Sequence, residues 1–144
     1  MNNKTSQLWT LWTKPDRRLQ LILVLVCAHS VGVGLGLVLQ PRLILGIFGF
    51  NICTERFFPT QGGIFHIVMA VAYGMAAWNL IKYRCLILYS IIVKGMATIF
   101  LSIYFFAVQS IWSIMLFSIC DCAMCLAILW AYRTWTAGIS KAET

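Results

Sequence analysis

Residues 85–131 read CLILYSIIVKGMATIFLSIYFFAVQSIWSIMLFSICDCAMCLAILWA, and across that whole stretch only Lys94 and Asp121 carry formal charge. No part of it alternates apolar with polar residues as a half-buried strand does, and its apolar runs are too long for strands. The runs 85–106 and 111–131 each approach the roughly 20 apolar residues that a helix needs to cross the hydrocarbon layer. Only Ala107, Val108, Gln109 and Ser110 separate them, and so short a connection predicts neighbouring, antiparallel helices.

Two further runs lie upstream: 19–39 (LQLILVLVCAHSVGVGLGLVL) and 63–81 (GIFHIVMAVAYGMAAWNLI). Apart from Lys94 and Asp121, every charged residue lies outside the four runs. The chain has 144 residues, of which 61% are hydrophobic and 10% charged, whereas a soluble domain uses about 25% charged residues to cover its surface. Such a chain cannot hide its apolar area by folding on itself, so lipid must cover the remainder. The fold class expected is all-α: a polytopic membrane protein, a bundle of four transmembrane helices. The tails 1–18 and 132–144 and a partly apolar outer loop, 40–62, complete it. Residues 19–39 are read as a retained span rather than a cleaved signal, because the run is long and Gln40-Pro41-Arg42 lacks the small-x-small pattern.

The net charge of +7 would point to nucleic acid in a soluble protein. Here the basic residues flank apolar runs, so no nucleic-acid partner is expected and anionic headgroups are. With both termini in the cytoplasm, Lys4, Lys14, Arg17, Arg18, Lys82, Arg84, Arg133 and Lys141 lie inside, and only Arg42 and Arg56 outside. That asymmetry is the orientation the positive-inside rule favours, and a bacterial inner membrane is the expected location. Trp78, Trp130 and Trp135 fall near the inner face and Trp112 near the outer one, as indole rings at membrane interfaces do. Trp9 and Trp12 are read as lying along the inner headgroups. In the loop, LILGIFGF is too short to span and reads as an interfacial or shallow re-entrant piece. Pro41 suits a helix's first turn, Phe57-Phe58-Pro59 offers a second membrane or partner contact, and Gly62-Gly63 a flexible turn.

Inside the membrane, Gly32-x-x-x-Gly36 with Ala28 makes a small-residue face on the first helix. Ala70-x-x-x-Gly74 makes one on the second, and both are read as helix-packing seams. Ser90, Lys94, Thr98 and Ser102 recur every fourth residue and form a polar stripe. The hydroxyls can bond their own helix's carbonyls, but a lysine near the bilayer centre is expensive unless paired. Counted outward from Gln109, Lys94 lies 15 residues before and Asp121 12 after, a mismatch of about 4.5 Å at helical rise. An ion pair is therefore expected. His29 and Tyr73 occupy the same layer, so His29, Tyr73, Lys94 and Asp121 form a candidate intramembrane polar cluster. His66 reads as an interface histidine within reach of Glu55 or a headgroup.

The CDCAMC run spreads Cys120, Cys122 and Cys125 around its helix, so no metal site and no catalytic residue is assigned; Cys53 alone in the outer loop speaks against thiol-oxidising chemistry. No phosphate loop, HExxH or nucleophile elbow occurs. The sequence requires no cofactor, although a quinone or lipid headgroup fits the polar layer. These features point to a small non-catalytic membrane subunit or accessory protein that packs against partner transmembrane helices, or forms a homo-oligomer. The alternative is a small transporter or quinone/lipid-binding protein built on the polar cluster.

Overall fold

The computed structural model describes residues 15–50 and 55–142, with the side chains of 140–142 excepted. Lys4, Lys14, Trp9, Trp12, Cys53 and the Lys141 side chain lie outside the described residues. Among the described residues five helices follow in order: α1 (Pro15–Leu39), α2 (Arg42–Ile47), α3 (Phe57–Trp78), α4 (Arg84–Ala107) and α5 (Trp112–Ala142).

The helix ends have local causes. Pro15 and Asp16 open α1, where a missing N–H is harmless and a carboxylate suits the helix dipole. Gln40, with φ 46°, and Pro41 end it, since the residue before proline is driven from the right-handed helical region. Pro41 O then accepts from Leu45 N–H at 3.0 Å, the first bond of α2. Glu55 Oε1 accepts from Phe57 N–H at 3.2 Å at the start of α3. Pro59 falls in that helix's first turn, so it does not break it.

The four long helices form an antiparallel ring in which α1 touches α3 and α5, and α4 touches α3 and α5. The α1–α3 contact is the most extensive and the α3–α4 contact the thinnest. Phe48, just after α2, turns back onto the start of α5, where its ring lies 5.4 Å from Phe117 and 6.2 Å from Trp112. Gly49, with φ +78°, makes that reversal possible.

The apolar core occupies one half of the bundle: Leu19, Leu23 and Val26 of α1, Tyr73 and Ala76 of α3, Ile87 of α4, and Ile128, Ala131 and Trp135 of α5 are among its buried members. Trp135 is thus a core residue packed on Tyr132, and not an interfacial anchor. Outward, the helices present large apolar side chains instead of charges, among them Leu25, Phe65, Val71, Ile99, Phe100 and Ile119. The buried polar residues include Lys94 and Asp121. An all-α bundle with greasy walls and ions inside is consistent with integral membrane placement, where no apolar surface has to be hidden from water.

Three helices, α1, α4 and the Trp112–Ile139 part of α5, are long and apolar enough to cross a membrane by length and composition. α3, with 22 residues, is long enough but less apolar, because Gln61, His66, glycines and alanines take the place of leucine and isoleucine. It also starts at Phe57 and ends at Trp78, not over 63–81. Gly62 and Gly63, expected in a turn, lie inside it.

Candidate functional site

The α4–α5 seam is a polar ladder. Arg84 Nε donates to Tyr132 Oη at 2.7 Å, Cys125 Sγ to Ile91 O at 3.4 Å, and Ser118 Oγ to Thr98 O at 3.1 Å. The Ser102 and Ser118 hydroxyls share a bond of 2.8 Å. At the middle, Lys94 Nζ donates to Asp121 Oδ1 at 2.6 Å, with side chains only 3% and 9% exposed. Of the polar stripe, Ser90 bonds its own helix at Leu86 O and Thr98 bonds Lys94 O, as hydroxyls in helices do.

The other predicted residues approach this pair from the α1–α3 side. The Tyr73 ring centre lies 6.0 Å from Lys94 Nζ, and Tyr73 is fully buried. His29 is half-buried on α1. His66, which sequence reasoning left out of the layer, is half-buried on α3. Its signal was register: His66 stands four residues before buried Ala70 and seven before buried Tyr73, on the inward face of α3. Ser30, fully buried on α1, faces the Tyr73 hydroxyl across the seam. The Tyr73 ring thus lies beside the buried Lys94–Asp121 pair, with His29 on α1 and His66 on α3 both half-buried.

The α1–α3 seam is built differently. Cys27 Sγ donates to Ala70 O at 3.1 Å, and a Cβ on Gly74 would sit 3.8 Å from Cys27 Sγ, so Ala70 and Gly74 face α1. Their partner ridge does not contain Gly32 and Gly36. A Cβ on either would meet nothing within 4 Å, whereas one on Gly34 would lie 2.8 Å from Gly63 O. In the GVGLG run, Gly34 follows Ser30 and Cys27 on the inward face, and Gly32 and Gly36 turn outward. Within the chain, the close backbone contact is Gly34–Gly63.

Among the described residues no three His, Cys, Asp or Glu side chains converge as a metal site requires. Cys27, Cys85, Cys120, Cys122 and Cys125 are free thiols. Comparison with known proteins gave no matching family model, no similar curated protein and no similar solved structure.

Proposed function

We propose that this chain is a non-catalytic integral membrane subunit or accessory protein, a bundle of four spans with both termini cytoplasmic, that packs against a partner's transmembrane helix. The observation that carries this reading is the outer ridge of α1. Ala28 and Gly32 are exposed and Gly36 half-exposed, and the space beside both glycines is open. A lipid-facing surface gains nothing from glycine, which lowers helix propensity by about 1 kcal/mol relative to alanine. A close-packed helix gains backbone access from it. The chain's own seam leaves that ridge unused.

Purification in gentle detergent tests the reading. A second membrane protein in stoichiometric amount is expected with the wild type and lost with Gly32→Leu, whose own fold has room for the new side chain. A chain that purifies alone under every condition, or a Gly32→Leu variant that keeps its partner, would sink the proposal.

A second reading, a small transporter or a quinone- or lipid-binding protein, is favoured by the buried Lys94–Asp121 pair beside Tyr73, with His29 and His66 half-buried on α1 and α3. Intramembrane ionisable groups of this kind mark ligand and ion paths. Substrate flux in vesicles that vanishes in Asp121→Asn, with no partner protein present, would establish it over the first.

A further inference from the structure

We infer that the basic end of the bundle holds one anionic phospholipid at a defined place, on the lipid-facing side of α3 where it turns into α4. This rests on the membrane-spanning reading above and on no protein partner. Met75, Trp78, Asn79, Lys82 and Tyr83 line a hollow there. Its floor is fixed: Leu80 is buried, Lys82 N–H donates to Asn79 Oδ1 at 2.9 Å, and Tyr83 N–H donates to Asn79 O at 3.0 Å. The Lys82 ammonium stands 5.3 Å from the Tyr83 ring centre and meets no carboxylate among the described residues. Trp78 is 86% exposed, an amphipathic ring left uncovered by the described residues.

A second hollow, lined by Arg56, Phe57, Thr60, Gln61 and Ile64, fixes the depth of the first. Within α3, Phe57 and Thr60 of this second hollow are followed 18 residues later by Met75 and Trp78 of the first. Eighteen residues are five turns of about 3.6, so these two pairs share a face of α3, about 27 Å apart at helical rise, and Asn79 and Lys82 follow in the turn beyond its end. The hydrocarbon layer is roughly 30 Å thick. Exposed Ile64, Val68, Val71 and Met75 form an apolar track between them, suited to acyl chains. Each hollow therefore sits at headgroup level of one leaflet.

The two ends differ in charge. Arg56 directs its guanidinium to the carbonyls of Val38 and Leu39 at the end of α1, at 3.5 and 3.4 Å. Lys82 is open, with Arg84, Arg17, Arg18 and Arg133 at the same end of the bundle and Asp16 as the acid described there. A phosphodiester with an uncharged substituent fits: its phosphate meets Lys82, and Asn79 and the Trp78 N–H supply neutral donors. A zwitterionic headgroup would bring its own cation to a basic rim.

The purified full chain in mild detergent, titrated with phosphatidylglycerol or phosphatidylcholine and read by native mass spectrometry, tests this. Wild type is expected to retain phosphatidylglycerol about five-fold better. Lys82→Gln should fall to the phosphatidylcholine level, and Arg56→Gln should match wild type. Equal retention of the two lipids, an unchanged Lys82→Gln, or equal losses in both variants would overturn the site. Brominated acyl chains give a second readout: extra tryptophan quenching by the anionic lipid should disappear in Trp78→Phe, and its persistence would count against the assignment. Because the isolated chain is used, failure of the partner proposal leaves this result intact.

Discussion

The α1–α3 and α4–α5 pairs solve the same problem with opposite materials. Between α1 and α3 the backbones approach until Gly34 and Gly63 leave no space for a methyl group, and the bonding across the seam is a thiol to a carbonyl. Between α4 and α5, arginine, lysine, serine and aspartate reach across from one end to the other. Lipid tails are as apolar as leucine, so burying leucine does little to join helices in a membrane. Close contact and polar bonding are what remain, and this chain assigns one to each pair. The difference also locates its chemistry, because the ionisable groups gather where the polar pair faces the close-packed one.

Substitutions sharpen that contrast. The largest effect is expected for Lys94→Ala, which strands Asp121 and should cost about 3–5 kcal/mol. Lys94→Ala with Asp121→Ala should lose less, as measured by denaturant unfolding in bicelles. A double-variant loss equal to the sum of the Lys94→Ala and Asp121→Ala losses would mean that the two act as independent groups. Next comes Gly63→Ala, whose methyl would stand 2.7 Å from Gly34 O. Overpacking against backbone predicts a loss of about 1–3 kcal/mol, and an unperturbed melting profile would refute the close seam. Ser118→Ala removes two bonds of the ladder and should cost about 1 kcal/mol, at about 0.6 kcal/mol for each such bond in lipid. Gly32→Leu should show no loss, gaining up to about 1 kcal/mol from helix propensity; a clear loss of folded chain would place Gly32 inside the molecule after all.

Much of this was legible in advance, for physical reasons. The long apolar runs announce the helices, and counting outward from a four-residue turn brings Lys94 level with Asp121. The first turns of α3 were not legible, because PTQGG reads as loop chemistry until Glu55 and Pro59 are seen to suit a helix start. Gly34 was hidden beside Gly32 and Gly36, since spacing identifies a ridge but not the direction it faces. His66 was passed over because a histidine near a helix end has an ordinary explanation. Only the register shared with Ala70 and Tyr73 turns it inward. The continuation of α5 to Ala142 lies beyond its apolar run, where hydropathy is silent and packing of Trp135 decides.

The tight reversal between α4 and α5 bears on how the chain is made. Entering the bilayer one at a time, each helix would carry a naked charge to its centre, a penalty of about 2.5–3.5 kcal/mol apiece on insertion scales. Entering together as a hairpin, with only residues 108–111 between them, they cancel each other before either is stranded. Entry of α4 and α5 into a bilayer as one unit is thus favoured over entry of either helix alone.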